Sequence, residues 1–239
     1  SDISQDLLDH CAELARALGR AGQCTFLRAP ADDLAVLADA AVDVVTTRSV
    51  LIYVAAKPRA FQEFYRVLRP GGRVSIFEPI NRFAYPEPPN RFFGYDVSPV
   101  QDLAQKLLAV YTQSVASAAE SMESMESMLD FDEHDLLRYT EQAGFLEAQM
   151  DAHFEVIASP EALLNAAGES DAFPVNRSWD AFVRSSPNPL APTLEEAMAA
   201  ALLPAEAERF TAYLRPLVES AHFVHRMEHV YLWAGKHGS

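Results

Sequence analysis

Val42-Asp43-Val44-Val45-Thr46-Thr47-Arg48 and, after a helical interval, Arg73-Val74-Ser75-Ile76-Phe77 are the two stretches that decide the fold. The first is compact and β-branched, which predicts a strand buried on both faces. Between them, Ala60, Phe61, Phe64, Val67 and Leu68 recur at helical spacing from Lys57 onward, and Pro70-Gly71-Gly72 ends the helix. Strand, helix and strand joined by short Gly/Pro turns predict a parallel βαβ unit.

On the amino-terminal side, Ser4 is placed to cap a helix carrying Leu7, Leu8, Cys11, Leu14, Ala15 and Leu18, with Gly19 as its stop. Cys24-Thr25-Phe26-Leu27-Arg28 is predicted as a short strand and Ala29-Pro30-Ala31-Asp32-Asp33-Leu34 as a loop. On the other side the regularity lapses from Asn81 to Tyr95, a stretch rich in proline and aromatics and too long for a simple turn. Ser98-Pro99-Val100-Gln101 is predicted to cap a long helix running through Leu103, Leu107, Val110, Tyr111 and Val115. The Ser-Met-Glu tandem from Ser121 to Met128 is predicted to be a solvated helix end. Asp132 opens another helix that stops at Gly144, and a strand is expected from Phe145 to about Ile157. Ser159-Pro160, Thr193-Leu194-Glu195-Glu196 and Pro204 announce three helices, making 159–222 a helical insertion. The closing strand is expected to begin near Met227 and to run through His229-Val230-Tyr231-Leu232-Trp233-Ala234-Gly235.

The chain has 239 residues, enough for a sizeable core, and 49% hydrophobic content rules out wholesale disorder. Its formal charge of −15 argues against nucleic acid, whose affinity comes largely from cationic neutralisation. No apolar run approaches the ~18 residues of a membrane span, and two cysteines, Cys11 and Cys24, suit a reducing, cytoplasmic setting. A small-molecule substrate is the expectation that remains. His222, His225 and His229 are spaced three and four apart, but the expected strand start interrupts any shared helix face. No carboxylate–His motif accompanies them, so no metal site is expected.

Val42 to Val54, followed by Glu63-Phe64-Tyr65-Arg66-Val67-Leu68-Arg69-Pro70-Gly71-Gly72-Arg73, resembles the class I S-adenosylmethionine-dependent methyltransferases. The resemblance extends over 1–82, 130–158 and 224–238, including a late helix ending in Ala143-Gly144-Phe145. It implies a Rossmann-like, doubly wound, mostly parallel α/β sheet with helical insertions. The core would comprise 1–95, 130–158 and 223–239, with a helical insertion at 96–129 and a helical lid at 159–222. The family's strand order is 3-2-1-4-5-7-6 and its first strand leads into a Gly-rich loop. None of the nine glycines here forms a G-x-G, so an upstream segment completing the sheet is expected.

S-adenosylmethionine is the implied cofactor. The resemblance places Asp2 and Ile3 at the ribose, Ala31 and Asp32 at the adenine, and Thr47, Arg48 and Ser49 at the methionine end and substrate. A carboxylate at a strand end suits this use because it accepts from two hydroxyls at once. Arg48 and Glu78, at strand ends, are the candidate catalytic residues; a core salt bridge for Arg48 and a turn-holding role for Glu78 are the alternatives. Glu63 and Arg66, one helical turn apart, are expected to be structural. Tyr53, Phe83, Tyr85, Phe92 and Tyr95 are candidates for lining an acceptor pocket, or else for packing the loop. The reading is methyl transfer to a small, largely apolar or aromatic acceptor. A non-catalytic binding or scaffold protein of the same fold is the alternative.

Overall fold

The computed structural model describes residues 1–117, 127–169, 177–187 and 191–238. The Ser-Met-Glu tandem lies outside them save for Ser127 and Met128, as does Phe173. The elements in order are α1 (Gln5–Ala17), β1 (Val42–Arg48), α2 (Lys57–Val67), β2 (Leu68–Pro79), β3 (Arg91–Phe92), β4 (Tyr95–Asp96) and α3 (Gln101–Ser117). They continue with α4 (Glu133–Ala143), β5 (Glu147–Ile157), α5 (Pro160–Glu169), α6 (Trp179–Val183), α7 (Leu194–Ala201), α8 (Pro204–Glu219) and β6 (His225–Gly235). The fold is α/β, with a four-stranded sheet ordered β1-β2-β6-β5. This is the order of the last four strands in the expected 3-2-1-4-5-7-6 sequence.

β1 and β2 pair in parallel with α2 as the crossover, whereas β2 and β6 run antiparallel. Gly72 is required where the chain re-enters β2: an added Cβ would stand 2.9 Å from the carbonyl oxygens of Arg69 and Asp43. Some local expectations need correction. β1 is not buried on both faces; it is an end strand among the described residues, with Val44 57% exposed. Cys24 to Arg28 forms no strand beyond a single bridge between Asp2 and Arg28. Ser98 does not cap a helix: its amide and hydroxyl both donate to the Asp96 carboxylate, and Ser98–Val100 is a short 3-10 turn. β6 begins at His225, two residues before the expected Met227.

The chain divides into two compact units. The first comprises Ser1–Ile80, Glu126–His153 and His229–Ser239. Its core gathers Phe61, Phe64, Val67 and Leu68 of α2, Val74 and Ile76 of β2, and Leu232 of β6, together with Phe131, Leu136 and Phe145. α4 closes this core with the predicted Asp132 cap, which becomes a reciprocal box with Asp135, and ends at Gly144 with φ +101°. The second unit comprises Asn81–Met125 and Phe154–Glu228. Its core is aromatic and helical: Phe92, Tyr95, Leu103, Leu107 and Tyr111 pack with Trp179, Phe182, Phe210 and Leu214. Residues 81–95, read from sequence with the sheet, group here with the helical segments.

Candidate functional site

The carboxyl ends of β1 and β2 hold the first group of sequence-predicted residues. Ser49 takes φ +53° and its amide donates to the Phe77 carbonyl at 2.9 Å, so the chain turns sharply as it leaves β1. Glu78, fully buried near the end of β2, receives that turn: its Oε1 accepts from the Val50 amide at 2.9 Å and the Leu51 amide at 3.0 Å. Burial raises its pKa above the ordinary carboxylate value, against the pull of those amides. Its Oε2 has no hydrogen-bond partner among the described residues, nor has the buried Thr47 hydroxyl. Arg48 is exposed at the end of β1 with its guanidinium 5.4 Å from the Phe77 ring centroid. Tyr53 ends the short turn Leu51–Tyr53 and is half-exposed.

A residue that sequence reading passed over anchors the same turn. Lys57 is only 1% exposed, yet it is charged. Its ammonium donates to the Val54 carbonyl at 3.0 Å, the Ser127 carbonyl at 2.7 Å and Asp130 at 2.6 Å, and lies over the Phe131 ring. Desolvation lowers its pKa, and Asp130 opposes that fall. In sequence, Lys57-Pro58 looks like an ordinary charged helix start, and nothing in the spacing betrays the distant Asp130.

The amino-terminal candidates are arranged beside one another. The Asp2 amide donates to Leu27 and the Asp2 carbonyl accepts from Ala29, which aligns the two segments without a full strand. Asp2 Oδ1 accepts from the Ser4 amide at 2.8 Å at the start of α1, whose cap is Ser4, as predicted. Oδ2 makes no hydrogen bond among the described residues, so the side chain retains capacity for a hydroxyl donor. Ile3 is exposed and Ala31 and Asp32 are partly buried.

The loop that carries Ala31 and Asp32 is held by the Glu63–Arg66 pair. Glu63 Oε2 accepts from the Leu34 amide at 2.7 Å, while Arg66 donates to the Leu34 and Leu37 carbonyls at 2.9 Å each and to Asp39 at 2.8 Å. Arg66 also bonds both oxygens of Glu63, holding its pKa below the usual carboxylate value. The E-x-x-R spacing thus locks a loop 29 residues upstream to α2.

Comparison with known proteins bears on the segment that carries this arrangement. Residues 1–76 match the family described as "Methyltransferase domain". The matched span of that domain contains Asp2, the 31–32 loop, the β1 end and the E-x-x-R clamp.

Two relatives are informative about scale. The ubiquinone/menaquinone biosynthesis C-methyltransferase UbiE of Psychromonas ingrahamii is 32% identical over 122 residues, covering 50% of this chain and 47% of that protein. The tRNA 5-carboxymethoxyuridine methyltransferase of Escherichia coli is 32% identical over 75 residues, 31% of this chain and 29% of that one. The chain therefore spans less than half the length of these curated relatives. Among solved structures, the YcgJ protein of Bacillus subtilis aligns over 99% of this chain and 81% of its own, with 12% identity and a TM-score of 0.49. A phosphoethanolamine N-methyltransferase of Haemonchus contortus aligns over 99% and 43%, with 13% identity and a TM-score of 0.43.

The aromatic candidates divide by environment. Phe92 and Tyr95 are buried in the second unit's core, where desolvation pushes the Tyr95 phenol up to about 12. Tyr85 lines a cavity of about 120 Å³ within that unit, and Phe83 lies under the Arg226 guanidinium at 5.1 Å. Sequence reading found the aromatics of this loop and missed Glu87 and Arg226, whose significance depends on a hairpin tip meeting β6. Asp132, Glu133 and His134 present ligand-type atoms close together at the start of α4. Asp132 is already committed to the cap, and His134 is exposed. No described helix is long and apolar enough to cross a membrane.

Proposed function

We propose that this chain is an S-adenosylmethionine-dependent methyltransferase acting on a small, largely apolar or aromatic acceptor in a reducing, cytoplasmic setting. The observation that carries the reading is the methyltransferase-domain match over 1–76, which includes the strand-end and loop residues whose geometry is described above. The residues fit such a cofactor in two places: Asp2 retains a carboxylate oxygen for the ribose, and the Thr47 hydroxyl is a buried polar group in need of a partner. Ile3, Ala31, Asp32, Arg48 and Ser49 complete the proposed cofactor contacts.

S-adenosylmethionine supplies, when bound, a methyl group activated by its sulfonium charge. The chain's residues have the simpler tasks of alignment and water exclusion. Glu78 fixes the Val50–Leu51 turn, Lys57 holds Val54, and the Glu63–Arg66 clamp fixes the 34–39 loop. Two of Glu78's features, full burial and amide bonds, favour a positioning role over that of a base. Arg48, exposed at a strand's carboxyl end, is the better placed to meet an acceptor. Tyr53, half-exposed beside the β1 end, is the proposed acceptor contact of the first unit.

The test is calorimetry with S-adenosylmethionine and S-adenosylhomocysteine on the full chain and its Asp2→Ala variant. Losing a charge-assisted contact should weaken binding by roughly 10- to 100-fold. Unchanged affinity with the fold intact removes Asp2 from the site. Methyl transfer to tRNA and not to a panel of phenolic and apolar small molecules overturns the acceptor class.

A further inference from the structure

The cavity of the second unit is built by three segments. The β3–β4 hairpin turns at Phe93 (φ +51°) and Gly94 (φ +82°), and its tip docks on the start of β6 through the Val224 amide and Gly94 carbonyl at 3.0 Å. Only glycine fits at position 94, because an added Cβ would stand 2.5 Å from the Val224 carbonyl oxygen. The third segment, 84–87, contributes Glu87, whose carboxylate accepts from the Gly94 amide at 2.6 Å and from the Phe93 amide. The walls are therefore fixed by one backbone–backbone bond and by the Glu87 carboxylate on two hairpin amides.

The polar groups facing this space are unequal. Glu87 is committed to the hairpin amides, and the half-buried His225 faces Glu155 at 3.5 Å. Arg226 is different: among the described residues no carboxylate lies within ion-pair distance of it, and its contact is the face of Phe83. Its guanidinium lies over the Phe83 ring, 5.1 Å from the centroid, and carries five N–H donors in a planar fork that matches a carboxylate. Phe93, Phe223 and Tyr85 supply aromatic surface on the remaining sides. A cavity of about 120 Å³ is well below the roughly 300 Å³ at which sites for drug-sized ligands begin. It has room for one end of a molecule.

We propose that this cavity binds the carboxylate end of a small aromatic acid, with Arg226 as its bidentate partner. The proposal rests on the methyltransferase reading only for the identity of the ligand as the acceptor; the binding site itself stands on the second unit's geometry. It makes the acceptor an aromatic carboxylic acid and not a neutral apolar molecule. The acid end supplies the fork-to-fork pair, and the ring packs beside Phe93 and Phe223.

Benzoate, benzamide and benzylamine titrated into the full chain, followed by ligand-observed magnetic resonance, test it. Benzoate is expected to bind saturably, and benzamide, the neutral isostere, at least roughly tenfold more weakly. Arg226→Gln should weaken benzoate by a similar factor and leave benzamide unmoved. Arg226→Lys, which keeps charge without the fork, should fall between the two. Because Arg226 is exposed, these variants should fold normally, and thermal melting checks that. Equal affinity for benzoate and benzamide, preference for benzylamine, or benzoate binding unaffected by Arg226→Gln overturns the proposal. Benzoate binding that needs Arg226, in a chain that binds no S-adenosylmethionine, leaves the site standing and defeats the methyltransferase reading instead.

Discussion

The two units solve the problem of holding irregular chain in place by different means. In the first, the turns and loops around the strand ends are pinned by charged side chains acting on backbone groups: Glu78 on two amides, Lys57 on two carbonyls, Arg66 on two more. In the second, aromatic rings carry the packing, with Phe92 edge-on to Phe210 at 5.6 Å and Tyr95 edge-on to Phe182 at 5.6 Å. There the ion pairs Lys106–Glu206 and Arg209–Asp102 lie on partly exposed side chains. Loop backbone at a strand end has polar groups that apolar packing cannot satisfy, whereas helices satisfy their own and need only a face to bury.

Substitutions should break this contrast in a definite order. The largest loss is expected from Phe210→Ala, which removes a fully buried ring at the centre of the aromatic core and should cost about 3–5 kcal/mol in denaturant unfolding. Lys57→Met keeps the length and loses the ammonium, stranding the Val54 and Ser127 carbonyls, and should cost about 1–3 kcal/mol. Its diagnostic is local: hydrogen exchange should accelerate over 50–54 and 127–131 while α8 is unchanged. Equal acceleration in both units would dissolve the contrast.

A pH comparison sharpens it further, since two carboxylates of the first unit have opposite signs. Glu78 has a raised pKa in the folded state, so the folded chain holds its proton more tightly than the unfolded one. Its contribution is fully present below the unfolded carboxylate pKa and is lost as pH rises through the folded value. The stability gap between the natural chain and Glu78→Gln should therefore shift in favour of the natural chain on acidification. Glu63 is the reverse: its pKa is lowered, chiefly by Arg66, so its contribution is present above the unfolded pKa and lost as pH falls through the folded value. The gap to Glu63→Gln should shrink on acidification. Urea melts of both variants from neutral to acid pH check the two directions.

Removing the α4 cap by Asp132→Ala should cost about 1 kcal/mol, as N-cap losses usually do. The smallest effect is expected for Lys106→Ala, whose pair with Glu206 spans α3 and α8 at 2.6 Å on partly solvated side chains. Such pairs are worth about 0–1 kcal/mol and weaken with salt. A loss as large as that of Lys57→Met would mean that charge, not aromatic packing, also organises the second unit.

Much of the local structure was legible in the residues themselves. The β-branched run of β1, the spacing of Phe61 and Phe64 on α2, the stop at Gly144 and the Thr193–Glu196 capping box are short-range signals, set by sterics and by hydrogen bonds three or four residues long. Ser98 shows the limit even at that range: its amide and hydroxyl donate to Asp96, two residues earlier, and the residue opens a short 3-10 turn ahead of the helix. The stretch from Cys24 to Arg28 failed as a strand for a related reason: pattern is not pairing, and only Arg28 finds a bridge partner.

Sequence alone determined the α/β class, the β1–α2–β2 unit and the positions of the strand-end candidates, because each follows from periodicity and local turn chemistry. Tertiary structure alone decided what those residues touch. Lys57 meets Asp130 across 73 positions, and Arg66 meets Leu34 across 32. Val224 meets the Gly94 turn, and the cavity beside Arg226 exists only there. A buried charge is tolerated only where distant backbone converges to satisfy it, and that convergence is a property of the folded chain which no single segment encodes.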